Sequence, residues 1–175
     1  MKKLLLPFFF LGTIAMIFVM VKTGASLKTA STPHGILDLE FAYNTTKTTT
    51  IINAWQPSIT ESFGKIAAAK LNTNCDFLFL FFYAGFLFLA CKKIATNING
   101  PVAKAGNIIA KGAIAAGIFD IIENAGMLLT LNNYHSSSIA FGTTFFSVIK
   151  WGLVLIAVLY VLTGLLVLTY RKIKY

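Results

Sequence analysis

The chain has 175 residues, of which 57% are hydrophobic and only 12% are charged. Soluble domains are about 45–50% apolar and about 25% charged, so this composition excludes a soluble globular domain and indicates a polytopic membrane protein. Fifteen basic residues against six acidic ones give a formal net charge of +9. Because the basic residues flank apolar segments, the preference for positive charge on the cytoplasmic side of a membrane explains this charge, and nucleic-acid binding is excluded.

Four apolar segments are long enough to cross a bilayer, which takes about 20 residues. The first follows Lys2-Lys3, and its 18-residue apolar run exceeds the usual core of a signal peptide, which favours a retained helix. The fourth ends before Arg171, and counting back about 20 residues sets its other end near Lys150. The apolar residues 139–149 make this span either long and tilted or preceded by an interfacial helix. The predicted spans are residues 4–21, 72–91, 112–131 and 150–169.

The loop 22–71, between the first two spans, is too long to be a simple connector. Thr32-Pro33 predicts a helix start, since proline is favoured at the first helical position, and residues 44–50 form a polar, threonine-rich break. Ser58–Glu61 is a capping box that opens a second amphipathic helix, with an apolar face made of Ile59, Phe63, Ile66 and Ala67. The sequence therefore predicts an all-α fold in a single domain, residues 1–175. Four transmembrane helices form an antiparallel bundle, and short amphipathic helices cap its outer side.

The distribution of basic residues predicts the orientation. With both termini in the cytoplasm, nine basic residues lie inside and six lie outside. The inner ones cluster at the ends of the spans, where the positive-inside rule counts them, whereas the outer ones are spread over a long loop. We therefore expect a bacterial inner-membrane protein with both termini cytoplasmic.

Two carboxylates, Asp120 and Glu123, lie within the third span. A charged side chain near the bilayer centre costs at least about 2.5–3.5 kcal/mol, which makes such residues candidates for function. Asp120 is nine residues past Lys111, so it should lie about 13 Å from the inner boundary. Asn124 shares a helix face with both carboxylates, and small residues continue that face, so the acids should point towards protein rather than lipid.

The second span adds Asp76 and Tyr83, which lie two turns apart on one helix face, and Tyr83 could hydrogen-bond to Asp120 or Glu123. The depth estimate sets Lys150 at the outer boundary, within reach of Asp76 but out of reach of Asp120. The two acids of the third span then have no basic residue at their own depth. Two adjacent carboxylates repel each other when both are ionised, so this pair is expected to await a proton, a metal ion or a cationic group.

Short motifs lie along roughly residues 30–131: Thr32–Ile36 with Glu40, then Trp55, Asp76–Phe79 with Tyr83, and Asp120–Asn124. They resemble segments of a group of uncharacterised small bacterial four-span inner-membrane proteins. The resemblance implies the architecture and the membrane location, and it brings no known activity.

Seven residues are the candidates for a binding site: Asp120, Glu123, Asn124, Asp76, Tyr83, Glu40 and His34. The first hypothesis is a binding or transport-like module, whose acidic pocket opens to the outer side and takes a proton, a cation, or a cationic or lipid head group. The alternative is a lipid-modifying enzyme that uses Asp120 and Glu123 as general acid and base, assisted by Tyr83 or His34. A second alternative is an accessory subunit of a membrane complex.

No cofactor is predicted, although a bound metal ion or lipid is compatible with the candidate residues. A metal would be held by Glu40, Asp120, Glu123 and His34, which offer the oxygen and imidazole ligands of a carboxylate-rich site. The expected partners are the lipid bilayer and either a second copy of the chain or a larger membrane complex, because four spans are few for a transport path.

Overall fold

The computed structural model describes residues 2–56 and 64–174, and every regular element in these ranges is helical, which confirms the predicted all-α fold. The elements in chain order are α1 (Lys2–Gly24), the 3-10 turn η1 (Ala25–Leu27), α2 (Ile36–Glu40), α3 (Thr45–Ala54), α4 (Lys65–Asn97), α5 (Pro101–Leu131) and α6 (Ser137–Lys174). Within these two ranges, four segments are long and apolar enough to cross a membrane: α1 with η1, α4, α5 and α6. The chain is thus compatible with a membrane protein. The predicted capping box Ser58–Glu61, with Ile59, and the residue Phe63 lie outside the described residues.

The helix α4 is the centre of the bundle. It packs along α1 on one side and along α5 on the other, while α6 packs mainly on α5 and also contacts α4. The described part of α1 presents mostly exposed apolar side chains, including Leu4, Phe8 and Leu11. Apolar side chains also cover the outward faces of α5 and α6, as expected for helices surrounded by lipid.

Two glycines allow α1 and α4 to approach closely. A Cβ atom at Gly12 would lie 2.1 Å from the ring of Phe82, and one at Gly85 would lie 2.4 Å from the ring of Phe9. Each helix therefore receives an aromatic ring of the other over a glycine, which is the close packing that small residues permit between membrane helices.

A cap of residues 25–56, formed by η1, α2, α3 and their connections, lies over one end of the bundle. Its core is Trp55, which is fully buried and donates its indole N–H to the carbonyl of Leu27 at 3.0 Å and to Thr32 Oγ1 at 3.2 Å. The same apolar cluster includes Met127 and Leu131 of α5. The cap is thus packed onto the bundle and does not hang free as a loop. We call this end of the bundle the cap end.

Two local predictions in the cap were wrong. No helix starts at Thr32-Pro33, because Gly35 has φ 65°, outside the helical region, and α2 begins only after it. Residues 44–50 are not a break, because α3 starts within them. The side chain of Asn44 caps that helix by accepting a hydrogen bond from the backbone N–H of Lys47 at 2.9 Å.

The fourth spanning helix is one continuous element of 38 residues, Ser137–Lys174. Residues 139–149 thus belong to the spanning helix itself, so the first alternative, one long helix, is correct, and they do not form a separate interfacial helix. At about 1.5 Å per residue it is about 57 Å long, well beyond the about 30 Å of a hydrocarbon core. Near its C-terminal half, Gly164 packs against Ile94, close to the end of α4, and α6 continues past that point.

The register between α5 and α6 sets the depth of Lys150. The two helices run antiparallel, and they approach closely where Gly106 meets Tyr160 and where Gly126 meets Thr143. Lys150 lies between these two points, so its backbone is in the middle of the α5–α6 interface. The prediction that Lys150 lies at the outer boundary was wrong, because it measured depth from the C-terminal end of a helix that extends beyond its neighbours.

Candidate functional site: a buried ionic cluster around Lys150

Three carboxylates surround the ammonium of Lys150. Its Nζ lies 3.1 Å from Asp120 Oδ1, 2.8 Å from Glu123 Oε2 and 3.5 Å from Glu40 Oε2. Nζ also donates hydrogen bonds to Asp120 Oδ1 and, at 2.9 Å, to Glu123 Oε1. We call Lys150 with Glu40, Asp120 and Glu123 the Lys150 cluster. Side chains of a helix lean towards its N-terminus, so Lys150 reaches from the middle of α6 towards the cap end, where these acids lie.

Glu40 enters the cluster from the cap. Besides Lys150, its Oε2 accepts hydrogen bonds from Ser147 Oγ and from the indole N–H of Trp151, both at 3.2 Å. Its backbone carbonyl accepts another from Thr144 Oγ1 at 3.0 Å. These three donors are on α6 at intervals of three and four residues, which places them on one helix face. That face of α6 therefore holds the end of α2 inside the bundle, with Glu40 only 6% exposed.

The helix α4 also makes hydrogen bonds to the acidic helix α5, at Asp120 and at Asn124. Tyr83 donates its hydroxyl to Asp120 Oδ2 at 2.7 Å, which confirms the predicted reach of this side chain. One turn closer to the cap end, the side-chain N–H of Asn124 donates to Asp76 Oδ2 at 2.8 Å. Asp120 is thus fixed by two donors on two different helices, and Asp76 is linked to α5 through Asn124.

All of these charged groups are buried. The exposed fraction is 0% for Glu123, 2% for Asp120, 4% for Lys150 and 7% for Asp76. The prediction that the acids of the third span face protein is confirmed. A buried charge is tolerated when it is paired and hydrogen-bonded, and Lys150 provides this for its three neighbours.

The charges of the cluster do not balance. Three carboxylates contact one ammonium, so a fully ionised cluster would carry two uncompensated negative charges. Asp76 adds a fourth carboxylate nearby, and its described partner, Asn124, is neutral. Because isolated ionised groups are very unfavourable in a low-dielectric interior, the excess must be neutralised by bound protons or by a cation.

The prediction that no basic residue lies at the depth of Asp120 and Glu123 was wrong, and so was the prediction that Lys150 could not reach Asp120. The sequence predicts Lys150 as a counter-charge for Asp76 only. It does not predict the hydrogen bonds from Ser147 and Trp151 to Glu40. A signal was present in the sequence. Ser136 precedes an apolar run and caps α6, with its Oγ accepting from the N–H of Ile139 at 3.1 Å, so a helix starting there carries Lys150 well into the membrane.

His34 lies apart from the Lys150 cluster. Its Nδ1 is 3.2 Å from Asp38 Oδ1, and its side chain is 72% exposed. Both residues line an open groove of about 570 Å³ on the cap surface. Of the four residues considered for a metal, Glu40, Asp120 and Glu123 meet at Lys150, and His34 does not join them. Within residues 2–56 and 64–174, no group of three or more His, Cys, Asp or Glu side chains is arranged to hold a metal ion.

The resemblance of the four sequence motifs to small bacterial four-span proteins stays a prediction. Three of those motifs supply residues to the site or its surroundings, namely Glu40, Asp76 with Tyr83, and Asp120–Asn124. Trp55 of the remaining motif forms the core of the cap. Comparisons of the chain with protein-family models, with curated proteins and with solved structures give no match.

Proposed function

We propose that this chain is an inner-membrane protein whose Lys150 cluster takes up a proton from the cap end, as a binding or transport-like module. The observation that carries the proposal is the ratio of three buried carboxylates to one ammonium. A purely structural ion pair needs one acid for one base, since any further ionised acid adds desolvation cost and repulsion. An excess of acids is useful where a positive charge binds and leaves.

The burial of the cluster supports a small ligand. Each of its members is less than a tenth exposed, and each carboxylate is already bonded to Lys150, with further donors on Asp120 and Glu40. A proton fits such a site without displacing side chains, whereas a lipid or amine head group would need the helices to separate. The same packing makes the acid–base enzyme the weaker alternative, because a lipid substrate would have to displace Lys150 or Tyr83.

The connection of the cluster to the cap supports access from that end. Glu40 is part of the short helix α2, which lies over the bundle, and its carboxylate bridges the cap and Lys150 at 3.5 Å. The positive-inside rule supports a cap on the periplasmic side, because the basic residues at the other ends of the helices cluster at span ends. A proton arriving from the periplasm would therefore meet Glu40 before it meets Asp120 or Glu123.

Infrared spectroscopy of the purified protein tests the proposal, because a protonated carboxyl has a C=O stretch that an ionised one lacks. We expect a buried C=O band that titrates with pH and loses intensity in Asp120→Asn and in Glu123→Gln. Asp38→Asn is the matched control, since this acid lies on the cap surface beside His34 and outside the cluster. If neither cluster variant removes intensity from the titrating band, the site binds no proton and the proposal fails.

Labelling tests the proposed orientation. Thr49 is an exposed residue of α3, so a Thr49→Cys variant in a Cys75→Ser background offers a thiol on the cap surface without labelling at the partly exposed Cys75. In intact spheroplasts a membrane-impermeant maleimide should label this thiol if the cap is periplasmic. Labelling that requires the membrane to be opened would reverse the orientation.

A further inference from the structure

Two buried amide oxygens near Asp76 have no donor. Asn124 is 0% exposed and Asn72 is 1% exposed, and the Oδ1 atom of each lacks a hydrogen-bond partner within residues 2–56 and 64–174. Buried acceptors are nearly always satisfied by a protein donor, an ordered water molecule or an ion. Each of these atoms therefore points to a bound water molecule or ion beside it.

The orientation of both amides is fixed by their other bonds. Asn124 donates its Nδ2 to Asp76 Oδ2 at 2.8 Å. Asn72 donates its Nδ2 to the carbonyl of Met20 at 2.9 Å and to Thr23 Oγ1 at 2.7 Å. Turning either amide around would lose these bonds, so the unsatisfied ends are carbonyl oxygens and not N–H groups.

These oxygens accompany a carboxylate. Asn72 and Asp76 are four residues apart on α4, so they are neighbours on one helix face. Asn124 is bonded to Asp76 across the α4–α5 interface, which keeps its own Oδ1 close to the same carboxylate. The amide atoms without a partner are oxygens, which can only accept hydrogen bonds, and oxygens are the ligands preferred by hard cations.

We propose that Asp76 and Asn124, with Asn72 one turn away on α4, form a site for a monovalent cation of sodium or lithium size at the cap end of α4. One carboxylate with neutral oxygens matches a single positive charge. Divalent ions usually take more carboxylates, and no metal-type group of three acids, histidines or cysteines occurs among the described residues. The inference rests on the proposed function and deepens it, because such a cation would neutralise part of the excess negative charge next to the Lys150 cluster.

The wild-type protein in detergent provides the first test, through its thermal unfolding in sodium, lithium, potassium and choline chloride at one pH and one ionic strength. A cation that binds only the folded state raises Tm, and at about ten times its Kd the rise is about 3–6 °C for a chain of this size. We expect this rise with sodium or lithium relative to choline. Equal Tm values in sodium, lithium and choline would overturn the site.

Variants of the proposed ligands show where the cation that raises Tm binds. Asp76→Asn and Asn124→Ala should each abolish the difference between sodium and choline. Asn74→Ala is the matched control, because Asn74 is an exposed asparagine on the same part of α4, bonded to the carbonyl of Lys70. If the sodium effect persists in both Asp76→Asn and Asn124→Ala, the cation binds elsewhere and the inference is wrong. If one of the two variants does not fold, the other still shows whether the cation binds at this site, and a wild-type protein without a sodium effect overturns the site by itself.

The two proposals fail separately. The infrared titration depends on Asp120 and Glu123, whereas the ion series depends on Asp76 and Asn124. A titrating C=O band without a sodium effect refutes only the cation site. A sodium effect without a titrating band refutes the proton-binding function and keeps the cation site.

Discussion

Replacement of Lys150 by methionine is the sharpest perturbation of the cluster. Methionine keeps much of the side-chain length and removes the charge, so Asp120, Glu123 and Glu40 lose their shared partner at 3.1, 2.8 and 3.5 Å. At an effective dielectric constant of about 20, each of these contacts is a gross attraction of about 5 kcal/mol. Desolvation of the ions and repulsion among the acids offset much of this sum.

The net loss for breaking a buried ion pair by removing one partner is about 3–5 kcal/mol. For a chain of this length, we expect Lys150→Met to lower Tm by about 6–20 °C. The loss comes from acids that stay ionised without a counter-charge. It should therefore be largest at alkaline pH and shrink as the pH falls and the carboxyls take up protons.

Thiol modification during heating measures this loss. Cys91 is fully buried and Cys75 is partly exposed, so in a Cys75→Ser background the labelling of Cys91 reports unfolding. Lys92→Met is the matched control, because Lys92 is on the spanning helix α4, where it is exposed and bonded to Asn107 Oδ1 at 2.7 Å. Its Tm should change little. If Lys150→Met is as stable as wild type at alkaline pH, the acids are not held as ions by Lys150 and the electrostatic reasoning is refuted.

Two further substitutions test the support of the cluster and of the bundle in the same unfolding assay. Tyr83→Phe removes the 2.7 Å hydrogen bond to Asp120 and should cost about 1.5–3 kcal/mol, the range for bonds to charged groups, so an unchanged Tm would argue against this bond. Gly12→Leu places a side chain where a Cβ would already lie 2.1 Å from a phenylalanine ring of α4, and overpacking should cost about 1–3 kcal/mol. Gly152→Ala is its control, since no atom lies within 4 Å of the added Cβ, and equal losses in the two glycine variants would contradict the close packing of α1 on α4.

Local patterns in the sequence were sufficient to predict the four spanning helices and the residues that share a helix face. Runs of about 20 apolar residues predict spanning helices without reference to any tertiary contact. The spacing of Asp120, Glu123 and Asn124 also fixes a shared helix face, because that property depends only on helical periodicity. The reach of Tyr83 to Asp120 followed from the same reasoning on two neighbouring helices.

The length and hydropathy of the last apolar segment did not place the counter-charge. The apolar residues from 139 to 169 are longer than one span needs, so several windows of about 20 residues fit them. Choosing the window from Arg171 put Lys150 at a boundary, whereas packing against α5 puts it in the middle. The burial of Glu40 depends on contacts with Ser147 and Trp151, more than a hundred residues away in the chain, which no local pattern encodes.

Ion pairing between α5 and α6 bears on how the chain enters the bilayer. Inserted alone, α5 would carry Asp120 and Glu123 into hydrocarbon, and α6 would carry Lys150, at about 2.5–3.5 kcal/mol for a central charge. The two helices are joined by the short connection 132–136, so they can enter together as a helical hairpin. In that hairpin the lysine meets both acids during insertion, and the residues that make the site also lower the barrier to placing it in the membrane.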